Sequence, residues 1–282
     1  MNSTYRTTLL AILAAASLAM GQPKAQPPKS VRLYVFDCGS LNIPDTSPYQ
    51  LKKEDLATTY MSVACFLVAH PKGAMIWDAG AVPDAGFTPG GGPATLRYAT
   101  SAKPLTAQLA EIGYSPADIN YLALSHFHWD HIGNANVFAG STWLTPGPER
   151  EIMFADPPSP RTEPANYSAL KTSKTTILTK DEYDVFGDGK VVIKSTPGHS
   201  PGHQVLFLKL ARTGPVLLSG DLYHYPEERK LNRIPTTEFN AGQTVASRAA
   251  VEAFLKKTGA QLWIQHDFTA NAKLKKSPAF YD

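Results

Sequence analysis

From residue 31 onward the chain alternates short apolar, β-branched runs with clusters of Gly, Pro and polar residues. Residues 31–36 are of this apolar type and stop at Asp37-Cys38-Gly39, which predicts a strand and a turn. Residues 61–70 and 74–77 flank Pro71-Lys72-Gly73, a turn signal between two strands. Residues 84–93 are Gly- and Pro-rich and read as a loop, and Ser115-Pro116 supplies an N-cap and first helical position for a short turn. Residues 119–124 read as a buried strand that runs straight into a histidine cluster. A strand at 142–144, a helix at 149–154 and a Pro-rich excursion at 156–164 follow. Further strands are expected at 191–195, 204–210 and 216–218, and 262–264 reads as the last one. The clearest helix is 245–257, with Val245, Ala249, Phe254 and Leu255 on one face and Gly259 as its stop.

Strands first, then strands separated by helices, predict a layered α/β domain with two sheets inside and helices outside. Long apolar strands of this kind are buried on both faces. No break in composition calls for a second domain, and no repeat of solenoid length occurs.

Composition adds little to that picture. Among 282 residues, 43% are hydrophobic, which excludes a disordered or fibrous chain. The net charge of +3, without a dense Lys/Arg stripe, gives no ground for a nucleic-acid partner. The basic clusters Lys171, Lys174, Lys180 and Lys273, Lys275, Lys276 read as solvated surface. The N-terminus changes the picture more. Arg6 precedes an apolar run at 9–16 and then Ser17-Leu18-Ala19-Met20-Gly21, the parts of a secretory signal peptide. The run is too short for a permanent membrane span. Residues 1–25 are therefore expected to be a signal peptide and the start of a spacer, residues 26–282 the folded domain, and the location periplasmic or secreted. Cys38 and Cys65 could pair in an oxidising compartment. Both flank or lie within apolar strands, where a free Cys acts as a small hydrophobe, and buried thiols are favoured.

The chemistry is concentrated at strand ends. His126-x-His128-x-Asp130-His131 follows the 119–124 strand, and residues two apart in an extended segment point the same way. His126 and His128 can therefore grip one cation, with Asp130 and His131 displaced toward a second. Imidazole and carboxylate are ligands that zinc and similar first-row ions prefer. Three His and one Asp crowded into six positions would otherwise be unpaired polar groups behind a buried strand. His199 after the strand 191–195, Asp221 after 216–218 and His266 after 262–264 repeat the pattern of strand, turn and ligand-type residue. Of the other histidines, His70 precedes a turn and is expected at the surface. His203 is expected to be structural, or a hydrogen-bond partner behind the ligands, and His224 lies close enough to Asp221 to face a substrate.

These residues together resemble the signature of the metallo-β-lactamase superfamily in its dimetal form, over most of the chain from about residue 31 to 266. The resemblance implies a four-layer αββα sandwich in a single domain. It implies one metal on His126, His128 and His199, a second on Asp130, His131 and His266, and Asp221 bridging both. Trp77-Asp78-Ala79-Gly80 matches the family's early Asp-containing turn, and Asp78 would orient a ligand histidine. The metals would be two divalent ions, zinc first, with manganese, cobalt or iron as alternatives. They would activate a shared water for hydrolysis. No G-x-S-x-G elbow supports a serine nucleophile.

Within the superfamily the details favour lactones. Many lactam-cleaving members lack the bridging Asp, and glyoxalase II relatives carry a C-terminal helical extension, whereas only residues 267–282 follow His266 here. Phe36-Asp37-Cys38-Gly39, residues 125–134, Gly220-Asp221-Leu222-Tyr223 and His266-Asp267 resemble N-acyl homoserine lactonases. Asp130 would then protonate the leaving alkoxide as a general acid. Those lactonases place a tyrosine three residues after the bridging Asp, where this chain has His224 between Tyr223 and Tyr225. Either a neighbouring tyrosine, Tyr223 first, takes the role through a shifted loop, or His224 does. Phe87, Phe127, Trp129 and Phe239 are candidates to line an acyl channel. The expected partner is a small lactone or ester, with a homodimer possible. The alternatives are a β-lactamase, phosphodiesterase or thioesterase on the same fold, or a periplasmic metal-binding protein.

Overall fold

A computed structural model describes residues 25–282, so all but the last residue of the expected signal-peptide segment lies outside the described residues. The strand that opens the domain, β1 (Arg32–Asn42), continues through Asp37-Cys38-Gly39, where a turn was expected. It absorbs those residues in an irregularity of its pairing with β2 between Asp37 and Ser40. β2 (Tyr60–His70) and β3 (Gly73–Trp77) form the expected hairpin. β4 (Ala94–Leu96), β5 (Ala99–Ser101), α1 (Leu105–Ala110), β6 (Tyr121–Ala123), β7 (Thr142–Pro146), α2 (Gly147–Met153) and β8 (Thr175–Leu178) follow. The first sheet runs in the order β4-β5-β1-β2-β3-β6-β7-β8. The second sheet takes β9 (Glu182–Asp184), β10 (Val191–Ser195), β11 (Gln204–Leu210), β12 (Gly214–Leu218) and β13 (Gln261–Trp263) in the order β13-β12-β11-β10-β9. Three further helices, α3 (Pro226–Leu231), α4 (Ala241–Thr258) and α5 (Phe268–Lys273), lie between or after these strands. The 262–264 strand is not the last, because β14 (Phe280–Tyr281) returns to pair with Leu33 and Tyr34 of β1.

Strand periodicity builds the layers. In β2, Ala64, Phe66 and Val68 face the core between the sheets, where they meet Ile193, Leu206 and Val216. The alternate residues Val63, Cys65, Leu67 and Ala69 face the other way, onto a core shared with Leu105 and Leu109 of α1 and Met153 of α2. Val205, Phe207 and Leu217 on the outer face of the second sheet meet Val251 and Leu255 of α4. Both faces of each sheet are thus covered, giving the expected single-domain αββα sandwich.

Three expectations about packing are corrected. On α4, Val245 and Ala249 face solvent, and the buried face is Thr244, Ser247, Arg248, Val251 and Leu255. The first half of this helix covers polar loops rather than a sheet, so polar side chains point inward. Ser247 Oγ donates to Pro197 O, and Arg248 donates to Leu222 O and Arg233 O. Cys38 and Cys65 are not free thiols but a disulfide, with Cα atoms 5.9 Å apart on adjacent strands. His70 is likewise not at the surface. It is buried, stacked on Phe186 at 4.1 Å and 3.1 Å from Asp188.

Candidate metal centre

The ligand-type residues sit where parallel strands end side by side. β3 pairs parallel to β6 with Trp77 opposite Ala123, so Asp78 and the 125–131 turn emerge together. β12 pairs parallel to β13 with Leu218 opposite Trp263, which brings out Asp221 and His266 together. His199 arrives from the loop after β10, through Gly198 at φ +142°. A Cβ on Gly198 would lie 2.3 Å from the Thr244 backbone nitrogen, so this close approach to α4 is open only to glycine. The 125–134 turn is locked to the segment after β3: Ala79 N–H donates to His131 O, Gly133 N–H to Gly80 O, and Asn134 Nδ2 to Ala79 O and Val82 O.

All seven expected ligands are brought together, and every one is buried. His128 Nδ1 lies 2.8 Å from His126 Nε2 and 2.9 Å from His199 Nε2. Asp221 Oδ2 faces this trio, 3.5 Å from His126 and 3.4 Å from His199. Its other oxygen, Oδ1, is 3.1 Å from both His131 Nε2 and His266 Nε2. Asp130 Oδ2 completes the second group at 3.5 Å from His266 and 3.8 Å from His131.

Ring nitrogens this close, aimed at a common point, have no protons enough to satisfy one another, and Asp221 Oδ1 is buried without any hydrogen-bond partner. Lone pairs converging in this way fit divalent cations, and their division between the two Asp221 oxygens fits two. Electrostatics agree for the first group; in the second, burial opposes charge on His131, yet the carboxylates of Asp221, Asp78 and Asp130 hold it well above the usual histidine range. Burial, followed by the neighbouring imidazoles, holds His126 and His128 well below the usual histidine range. Burial does the same to His199. For Asp221 burial opposes ionisation, yet His266, His131, His126 and His224 hold it well below the usual carboxylate range.

Behind the ligands stands a layer of partners that fixes their rings. Asp78 Oδ2 is 2.9 Å from His131 Nδ1, and the same carboxylate accepts from Ser125 N–H and Gln265 Nε2. His266 Nδ1 reaches Ser62 O at 2.7 Å. His199 Nδ1 reaches Glu238 Oε1 at 3.0 Å, and Glu238 accepts from Thr244 Oγ1 in turn. His203 is no ligand: its Nε2 accepts the Asp221 N–H at 2.9 Å, so Nδ1 carries the ring proton toward Thr196 O. Burial keeps it neutral, down to about 4.

The metallo-beta-lactamase pattern of sequence matches residues 58–266. The chain belongs to the metallo-beta-lactamase superfamily. Among superfamily relatives, an N-acyl homoserine lactonase AttM from Azorhizobium caulinodans is 28% identical over 271 residues, covering 89% of this chain and 99% of the relative. The N-acyl homoserine lactonase AiiA of Bacillus thuringiensis subsp. kurstaki is 28% identical over 177 residues, 61% of this chain and 65% of the relative. The same fold is seen in an N-acyl homoserine lactone hydrolase crystallised with N-hexanoyl-L-homoserine at its catalytic metal centre. That structure has a TM-score of 0.72 and 22% identity, over 89% of this chain and 99% of the other.

A cavity of about 460 Å³ opens onto the metal side of Asp130, Asp221, His199 and His266. Its walls correct several expectations. Tyr223 does not reach it: the hydroxyl donates to Glu252 at 3.1 Å and the ring packs with Val251 and Leu255 of α4. Tyr225 turns its hydroxyl to Thr59 O. His224 does line the cavity, with Nε2 3.3 Å from Asp221 Oδ2 and Nδ1 3.1 Å from Glu228. Burial opposes its charge, but Glu228 and Asp221 push it up to about 10. Of the aromatic candidates, Trp129 lines the cavity. Phe127 lies in the core, Phe87 borders a separate groove beside the Gly-rich loop, and Phe239 is 63% exposed. The apolar wall is instead Leu41, Ile43, Tyr49, Met61, Tyr98 and Trp129. Glu238, Tyr49 and Arg161 carry no local sequence signal, since each arrives from a distant segment, whereas Glu228 lies one helical turn beyond His224.

Proposed function

We propose that this chain is a dimetal hydrolase that opens the lactone ring of N-acyl homoserine lactones. The observation that carries this reading is Asp221, whose two carboxylate oxygens face two separate histidine groups beneath a mostly apolar cavity. The activity of the relatives named lactonases supports the substrate class. His126, His128 and His199 would hold one ion, and Asp130, His131 and His266 the other, with Asp221 shared. Five imidazoles and two carboxylates suit zinc well, and zinc is the proposed metal. When bound, the two ions supply Lewis acidity for the carbonyl and an activated water.

The chain's own residues do the rest. Asp130 lies at the cavity floor, able to accept a proton from the attacking water and pass it to the departing alkoxide. His224, clamped by Glu228, presents its Nε2 edge to the lactone oxygens in the place where the lactonases have tyrosine. Tyr49 and Met61 bound the acyl group, and Tyr49 packs at 4.9 Å from the His224 ring.

We also propose that the protein is exported: the apolar N-terminal run and the Cys38–Cys65 disulfide both suit an oxidising compartment. No helix of the described residues is long and apolar enough to cross a membrane. The test of function is metal analysis of the purified chain with a panel of N-hexanoyl homoserine lactone, nitrocefin and bis-nitrophenyl phosphate. Two ions per chain and preferential lactone hydrolysis are expected. Preferential cleavage of either other substrate would overturn the lactone reading.

A further inference from the structure

Among the described residues, one cation beside the metal centre has no counter-ion. Arg161 is half-buried at the cavity wall, in the Pro-rich segment after α2. Its backbone is pinned rather than loose: Trp129 N–H donates to Arg161 O at 3.0 Å, and Thr162 Oγ1 donates to Ser159 O at 2.7 Å. The segment is therefore tied to the same turn that carries His128 and Asp130. Arg161 Nη1 lies 3.2 Å from His128 Nε2, and among the described residues no carboxylate lies within ion-pair distance of this guanidinium. Its neighbour on the cavity wall, Arg97, differs: it pairs with Glu163 at 3.2 Å and sits over the Trp129 ring at 5.2 Å. Asp45, an acid on the same wall, forms no ion pair with Arg161 and accepts the Ser47 N–H through Oδ1 at 3.0 Å.

The contact with His128 cannot be the resting partner of Arg161 in the loaded protein. His128 Nδ1 points to the metal position, 2.8 Å and 2.9 Å from the other two nitrogens of its group. An imidazole that gives its Nδ1 lone pair to a metal keeps its ring hydrogen on Nε2, and a guanidinium has only donors. Two donors would then face each other at 3.2 Å. The guanidinium needs an acceptor, and the open side of Arg161 is the cavity.

We propose, on the reading of this site as a lactonase, that Arg161 is a specificity residue that binds a carboxylate carried on the acyl portion of the lactone. A partly desolvated guanidinium without a counter-ion gains most from a planar anion that accepts two parallel N–H bonds, and a neutral acyl chain offers none. The lactones this enzyme prefers therefore carry an acidic acyl group, and Trp129 and Tyr98, 5.1 Å apart, flank its methylenes.

The test compares two lactones of equal chain length, N-hexanoyl and N-(5-carboxypentanoyl) homoserine lactone, on the zinc-loaded protein. Wild type should favour the carboxylated lactone in kcat/KM by about tenfold or more, through KM. Arg161→Gln should abolish that preference while leaving hexanoyl turnover within about threefold, and Arg161→Lys should restore part of it. Calorimetry with the corresponding γ-lactams, which are not turned over, should give the same dependence on Arg161 in binding alone. Lactone hydrolysis without a preference for the carboxylate, or equal loss on both lactones in Arg161→Gln at unchanged zinc content, overturns the proposal and leaves the lactonase reading standing. Arg161-dependent binding of the carboxylated lactam without hydrolysis of either lactone overturns the lactonase reading and keeps the anion site.

Discussion

Removing Arg248 isolates the buried charges behind the metal centre. Its guanidinium is 5% exposed and donates through Nη2 to Glu228 Oε2 at 2.6 Å, through Nε to Leu222 O at 2.7 Å and through Nη1 to Arg233 O at 2.5 Å. It also lies 4.2 Å from the centre of the Tyr223 ring. Glu228 is fully buried, and its other oxygen holds His224 Nδ1 at 3.1 Å. Arg248→Met keeps the packing volume but leaves Glu228 as a buried carboxylate with one partner and two carbonyls without donors. Breaking a buried pair from one side costs roughly 3–5 kcal/mol. For a domain of this size each kcal/mol moves Tm by about 2–4 °C, so the expected loss at saturating zinc is roughly 6–20 °C. In the double variant Arg248→Met with Glu228→Gln the stranded charge is gone. Its loss should be smaller than that of Arg248→Met alone, by roughly 1–3 kcal/mol of coupling. Thermal unfolding of wild type, both single variants and the double variant closes the cycle. Additive losses, or a drop of less than about 2 °C for Arg248→Met, would refute the reasoning.

Three further outcomes follow from the same geometry. Asp78→Asn should weaken zinc binding by about 10–100-fold, read by competition with a chelating dye, because the carboxylate that fixes His131 Nδ1 is gone; unchanged affinity would remove Asp78 from that role. Tyr223→Phe should leave lactone kcat/KM within about twofold and cost about 1 kcal/mol of stability at most, since its hydroxyl bonds Glu252; a loss of about a hundredfold would place the hydroxyl in the reaction. Glu149, buried in the fold, is raised by burial from 4.5 to about 7, against hydrogen bonds from Ser200, Gly202 and Phe127. Its folded value is raised, so its contribution is full below 4.5 and is lost as pH climbs to about 7, about 3 kcal/mol in all. The Tm gap between wild type and Glu149→Gln should therefore shift in favour of the variant between about pH 5 and about pH 8, and a constant gap would exclude this titration.

Much of the site was legible because its ligands follow the strands that carry them. A buried strand, a turn and a cluster of imidazoles form a local pattern, and His126, His128, Asp130, His131, His199, Asp221 and His266 all obey it. The layered fold was legible for a similar reason: β2 is apolar at every position after Tyr60 except Ser62 and His70, which suits a strand covered on both faces. What escaped depends on long-range packing. Glu238 meets His199 across 39 residues and Arg161 meets His128 across 33, and neither pairing leaves a periodic trace. The inward face of α4 was misread because apolar spacing cannot reveal a helix that buries Thr244, Ser247 and Arg248 against polar loops. Tyr223 looked catalytic from its place beside Asp221, but Tyr223 adopts an extended backbone that turns its side chain toward α4 and leaves His224 facing the cavity.

Asp221 joins the two halves of the centre, and its position is set by an atom that takes no part in the chemistry. The Asp221 N–H donates to His203 Nε2, while His203 O accepts from Thr196 N–H and His203 N–H donates to Ser200 O. Gly220, at φ +48°, lets the backbone pass so close that a Cβ there would lie 2.7 Å from that same His203 nitrogen and 2.8 Å from Ser125 Cβ. Ser125 in turn begins the turn that carries His126 and sits 3.0 Å from its ring. The ends of β6, β10 and β12 are thus fastened to one another through neutral His203 and a missing side chain at position 220. That frame helps bring the seven side chains His126, His128, Asp130, His131, His199, Asp221 and His266 within reach of one another. Side chains crowded in this way would be adverse without a cation between them, so metal bound there would add to the stability of the sandwich.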